Sequence, residues 1–306
     1  HIKHILSGLG MTEELSFCFT SEDMLDKMRV PADSKLRQAI PIMNPLTDEC
    51  PLVRTSLLTS IMENAVRNFS RKNMDIRLFD VAPVFYPKAL PVTELPDEVI
   101  KLAGLITGRR NEMGWNQGND MVDFYDMKGV VEELLKELSI SKYTVEAGEH
   151  FALHPGKTAV FKKGQEVIAV VGELHPAAAE NFGIKQAVYL FEMDVETLMK
   201  YTAKNFHFES LPKYPATARD LAIVVDEAAA AADIEAVIAK NAGRHFKGVT
   251  LFDVYTGEHV AEGKKSLAIS LVLQDTQRTL EDKEIADTIA KVVEGLRTEF
   301  NASLRD

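Results

Sequence analysis

Cysteine is nearly absent from this 306-residue chain: Cys18 and Cys50 are the only two, and no CxxC spacing exists. That excludes a disulfide framework and a four-cysteine zinc site, and it leads us to expect a reducing compartment. No run approaches the roughly 18 to 20 apolar residues that a membrane helix needs, and no basic segment followed by an apolar one opens the sequence. The expectation is a cytoplasmic protein with no membrane partner. Positive charge is also scarce, with 35 Lys and Arg against 46 Asp and Glu, a net of −11. This argues against holding nucleic acid by bulk electrostatics alone and leaves a local site open. The acidity is spread out: residues 209–306 carry 12 basic and 17 acidic side chains, the remainder 23 and 29. GxxxxGK[ST], GxSxG and HExxH are all missing, no GxGxxG follows a strand, and "GLG" at 8–10 is too short to count.

What is present divides naturally in two, because 306 residues is about twice a common domain. The chain opens at His1 with "HIKHILSGLG", helical in character, and reads as a piece of a longer protein. After the prolines of "NPLTDECPLVRTS", apolar residues at Leu57, Leu58, Ile61, Met62, Ala65, Val66 and Phe69 form one helical stripe. This predicts a helix over 52–72 whose other face, with Arg54, Glu63, Arg67, Arg71 and Lys72, meets solvent or a partner. Strands are expected at 75–87 and 99–109 around a proline-rich loop. A second helix is expected at 123–138, capped by Asp123. Four more strands follow at 143–147, 158–163, 166–173 and 187–194, with Gly164 turning a hairpin. The first domain, 1–205, is thus a mixed, mainly antiparallel sheet with helices packed on it, and 199–215 is the connection onward.

Residues 206–306 have a βαββαβ rhythm: a strand at 218–225, a helix at 232–242 ended by Gly243, strands at 248–255 and 266–274, a helix with Thr279 and Asp282 as a capping box, and a closing strand in "ASLR". This is the ferredoxin-like arrangement, four strands with both helices on one face, and the whole chain is α+β. Alternation puts Leu267, Ile269, Leu271 and Leu273 against the helices and leaves Ser266, Ala268, Ser270, Val272 and Gln274 on the open face.

Two histidine turns, "LHPGKTA" and "ELHPAAAE", would give a metal or acid–base pair if His154 and His175 converged with a third ligand. Without that ligand in register they read as turn histidines with structural hydrogen bonds. "GRRNEMGW" at 108–115 offers arginines that clamp an anion, or else a strand end with a solvated loop. The third strand, "SLAISLVLQ", lacks the aromatics on which an ordinary RNA-recognition module stacks bases. The open face offers Asp253, Tyr255 and Ser266, with Arg219, Lys264, Lys265 and Arg278 at its rim, so a base would stack on Tyr255 while cations meet phosphates. Asp220 would orient Arg219 or accept from a base amine. Solvated side chains, and a structural Arg219–Asp220 ion pair, are the competing readings.

The segments "KYPATARDLAIVVDE", "VTLFDVYTGEHVAEGKKSLAISLVLQDTQRTLEDKEI" and "LRTEFNASLRD" resemble the ferredoxin-like anticodon-binding domain that ends bacterial phenylalanyl-tRNA synthetase beta subunits. Upstream, "NPLTDECPLVRTSLL", "LFDVAPVF", "DFYDMKGVVEELL", "LHPGKTA" and "GELHP" are similar to the same subunit in the same order. The resemblance spans essentially the whole chain. It implies a class II synthetase-like scaffold domain with no catalytic residues and no metal, since neither "FRxE" nor a glycine-rich segment leading to a helical arginine is present. It also implies a heterotetramer in which the alpha subunit activates phenylalanine with ATP and Mg2+, a second beta subunit completes the assembly, and tRNA-Phe is bound. The fragment itself would carry no cofactor. The 52–72 helix with the strand after it is similar to the class II dimer-interface motif, so its outer face would meet alpha. Two alternatives remain at this level: a single-chain class II synthetase with its own active site, and a free-standing RNA-binding module.

Overall fold

The computed structural model describes every residue except 46, 48, 204–207, 209, 258, 259 and 306. It divides into two compact units, His1–Phe206 and His207–Asp306. The 205/206 boundary expected from sequence lies outside the described residues.

The first unit runs α1 (Ile2–Gly8), β1 (Thr12–Glu13), β2 (Phe19–Thr20), α2 (Glu22–Lys27), β3 (Leu52–Val53), α3 (Leu57–Ser70), β4 (Ile76–Tyr86), β5 (Asp97–Thr107), α4 (Phe124–Glu137), β6 (Thr144–Ala147), β7 (Leu153–Lys163), β8 (Glu166–Leu174), α5 (Pro176–Asn181), β9 (Val188–Asp194) and α6 (Val195–Tyr201). Seven strands form one sheet in the order β1-β4-β5-β9-β8-β7-β6. Only β1 against β4 is parallel, so the sheet is mixed and mainly antiparallel. The two faces are read from the pleat: Leu102 and Ile106 join a core with α4, while Ala103 and Leu105 join one with α3.

Local chemistry sets the helix ends. Asp123 accepts from the N–H groups of Tyr125 and Asp126 at 2.7 and 3.1 Å, and Asp126 accepts from that of Asp123 at 2.7 Å, a reciprocal cap that fixes the start of α4. Gly164 takes φ +64° in the β7–β8 hairpin, as its turn position requires.

The predicted helix over 52–72 is too long at both ends. Leu52 and Val53 are a strand paired with β2, the N–H of Arg54 donates to the Cys18 carbonyl at 2.9 Å, and Ser56 caps α3 by accepting from Leu58 at 3.1 Å. Extended pairing therefore wins over helix periodicity before residue 57. Arg54 is consequently not a surface residue: it is 1% exposed and lies 3.7 Å from Asp80. Its guanidinium donates to the carbonyl of Pro83 at 3.0 Å and to the hydroxyl of Ser16 at 2.6 Å. Glu14 is buried beside this seam. Asn64 donates to one of its oxygens at 2.9 Å, and the other has no partner. Burial lifts the Glu14 carboxyl to about 7. Arg67, Arg71 and Lys72 do reach solvent.

The second unit comprises β10 (Thr217–Asp226), α7 (Ala231–Ala242), β11 (Phe246–Tyr255), β12 (Lys264–Leu273), α8 (Asp282–Phe300) and β13 (Ser303–Leu304). Its strands lie antiparallel in the order β11-β12-β10-β13, the ferredoxin-like topology. Leu267, Ile269, Leu271 and Leu273 are buried with Leu221, Ile223 and Val225 against Ile238, Ile285, Val292 and Leu296 of the two helices. The expected Thr279–Asp282 capping box is replaced. Glu281 is the N-cap, and the Glu284 carboxylate accepts from the N–H of Glu281 at 3.1 Å, because α8 begins at Asp282 itself.

Candidate nucleic-acid interface

The open face of the second sheet is set by register. Asp220 pairs with Ser270, Asp226 with Lys264, Asp253 with Ala268 and Tyr255 with Ser266. All of these stand on the opposite side from the buried Leu267–Leu273 series. An irregularity between Leu251 and Asp253 shifts β11 by one residue, and this bulge is what turns Asp253 and Tyr255 onto the open face.

Five of the eight sequence-chosen residues thus share one surface: Asp220, Asp253, Tyr255, Lys264 and Ser266. Arg219 and Lys265 do not. They pair with Leu271 and Val225, which places them on the helix side of the sheet, and Arg219 lines a groove with Ile285, Ile289 and Leu304. Consecutive strand residues face opposite ways, so Arg219 and Asp220 diverge, and no ion pair joins them among the described residues. Arg278 is engaged elsewhere. It is held by Glu284, with one nitrogen–oxygen contact at 2.7 Å, and this contact, followed by the N–H of Glu281, lowers the Glu284 carboxyl to about 2. Lys264 is 2.8 Å from Asp226.

Ser266 is not the open hydroxyl expected, since it is 4% exposed. The residue over it is Arg305, which sequence reasoning did not select. Asn301 takes a left-handed φ of +50° at the end of α8 and turns the chain back into β13. The Arg305 N–H then donates to the carbonyl of Ala222 at 2.9 Å. Its guanidinium donates to the Ser266 hydroxyl at 3.3 Å and lies 5.2 Å from the centre of the Tyr255 ring. The signal available in sequence was its place in the closing "ASLRD", where a strand beside β10 carries it onto the face. A cation stacked on an aromatic ring, flanked by Asp253 and a hydroxyl, can stack a base, meet a phosphate and accept from a base amine.

The first unit's candidates resolve differently. His154 and His175 each accept a backbone N–H two residues on, from Gly156 at 3.0 Å and Ala177 at 3.1 Å, so both are turn and helix-cap histidines. Burial, then the nearby Arg29 and His154, lowers the His175 imidazole. His150, overlooked in the sequence, is half-buried, and desolvation pushes it down to about 4. Among the described residues no three His, Cys, Asp or Glu side chains are grouped to hold a metal. Arg110 of "GRRNE" is taken up by its own chain, 2.9 Å from Asp126 and 3.2 Å from Asp123. Burial would lift the Asp126 carboxyl, but Arg110 and the N–H of Asp123 outweigh it and hold it below the usual range. With Arg54 also buried and bonded, these arginines do not fit nucleotide phosphates.

Comparison with known proteins agrees with this layout. The family described as "Phenylalanyl tRNA synthetase beta chain CLM domain" matches residues 1–195, and "Ferredoxin-fold anticodon binding domain" matches residues 212–305. Among curated relatives, the phenylalanine–tRNA ligase beta subunit of Syntrophotalea carbinolica is 36% identical across 99% of this chain and 38% of its own length. That of Geobacter sulfurreducens is 37% identical over 99% of this chain and 38% of its own length, and that of Shewanella oneidensis 36% over 100% and 38%. The chain therefore spans about 38% of the length of these relatives. Each unit has its own family match, and the first covers well over half of the residues, so the chain belongs to the phenylalanyl-tRNA synthetase beta chain family.

Proposed function

We propose that this chain is the part of a phenylalanine–tRNA ligase beta subunit that supports the alpha subunit and binds the anticodon region of tRNA-Phe. The holoenzyme, two alpha and two beta chains in the cytoplasm, joins phenylalanine to tRNA at the expense of ATP with Mg2+. This chain contributes surface rather than chemistry. The observation that carries the reading is the open face of the second sheet, where Tyr255 beneath Arg305, Asp253 and Ser266 stand together within a unit that matches an anticodon-binding family. Tyr255 offers the stacking plane, Asp253 an acceptor that discriminates base amines, and Arg305 a cation for phosphate. The sheet of the first unit serves as the scaffold, with its α3 region toward alpha.

Footprinting of tRNA-Phe by this chain, alone and with alpha, tests the reading. Protection of the anticodon loop is expected. Protection confined to the acceptor stem would overturn it. Incubation of the chain with ATP, phenylalanine and tRNA should give no aminoacylation until alpha is added.

A further inference from the structure

A second surface of the same unit lies at the far end of β12. Ser210, Lys213, Lys247, Gln274, Thr276 and Gln277 line a cleft of about 600 Å³. The Gln274 side chain donates to the Tyr214 carbonyl at 2.7 Å and so ties the chain preceding β10 to the end of the sheet. In a chain of 46 acidic residues, none of the described residues lining the cleft is acidic. Neither Lys213 nor Lys247 has an ion-pair partner among the described residues, and both are exposed. Asp275, next to Gln274 in the chain, is already engaged: it accepts from the N–H of Gln277 at 2.7 Å and lies 3.5 Å from the His245 ring. Two exposed ammonium groups beside hydroxyls and amides, with Leu211, Pro212 and Tyr214 completing the wall, suit a phosphodiester.

We infer that this cleft binds the phosphate backbone of the same tRNA, away from the anticodon, and so anchors the RNA without reading its sequence. The inference rests on the tRNA-binding reading above. Distance separates the two contacts. From Ser266 beside Tyr255 to Gln274 is eight residues along β12, about 27 Å. That is several times the spacing between neighbouring phosphates, so one nucleotide cannot fill both places.

The test uses the whole 306-residue chain and a tRNA-Phe transcript, with binding measured between 50 and 200 mM salt. Removing two phosphate contacts lowers the slope of log K against log salt by about 1.5. The advantage of the native chain over the Lys213→Ala/Lys247→Ala variant should then shrink about eightfold across that range. Lys213→Arg/Lys247→Arg should keep the native slope, and preference for the native anticodon should be unchanged in both variants. An unchanged slope in the double alanine variant overturns the cleft while leaving the anticodon reading intact. Loss of anticodon preference as a factor in native binding, with the slope change still present, overturns the anticodon reading alone. Absence of any tRNA binding by the native chain overturns both.

Discussion

Arg54 shows how much one side chain decides in the first unit. With 1% exposure and partners in Ser16, Pro83 and Asp80, it is a cation fully committed to its surroundings. Arg54→Ala leaves Asp80 buried without its counter-charge and should cost about 3–5 kcal/mol, read as a shift in the urea midpoint. Glu14, beside it, acts in the opposite direction. Its carboxyl titrates near 7 in the folded chain against 4.5 when exposed, because burial outweighs the Asn64 hydrogen bond. A raised acid pKa means that the contribution is intact below 4.5 and is lost as pH rises through 7. Glu14→Gln should therefore match the native chain near pH 4 and exceed its stability by up to about 3 kcal/mol at pH 8. A gap that does not widen with pH would refute this. At this scale the sequence was only half readable. The alternation that buries Leu221, Ile223 and Val225 also sends Arg219 to the helix side, so its turn away from the open face was legible in the sequence. The burial of Arg54 was not, because it depends on Ser16 and Asp80, far away along the chain.

Elements with strong periodicity were legible, while short ones were not. The stripe and cap of α4 were visible in residues 123–138, and each long strand lies within a few residues of its expected place. The short helices α2, α5 and α6 had too few turns for a period to show. They are set by caps at Ser21, His175 and Asp194. Strand packing imposes its own demand in the middle of β5. Gly104 sits opposite Phe191, and an added Cβ would fall 2.1 Å from a ring carbon. Gly104→Ala must push that ring into the α4 side of the core and should cost roughly 1–3 kcal/mol, with a matching drop in melting temperature. Gly129, on the exposed face of α4 with open space around its Cβ position, is the control: Gly129→Ala should stabilise α4 by about 0.5–1 kcal/mol.

On the scale of the molecule, each unit has cores drawn from its own residues: one on each face of the seven-stranded sheet, and one beneath the four-stranded sheet. Units built this way unfold as separate cooperative blocks, so calorimetry should resolve two transitions. Arg54→Ala should lower only one of them, and a single transition shifted as a whole would count against separate folding. The family resemblance and the α+β layout were present in the sequence as ordered motifs, whereas the composition of the open face depended on where the last strand returned. That return has a spectroscopic consequence. The Arg305 guanidinium is held over the aromatic plane of Tyr255, where the ring current shields nearby protons. Its Nε proton should resonate upfield of an ordinary arginine, giving the face a built-in magnetic gauge that reports, at a single nucleus, whether the ring is covered by its own chain or by something else.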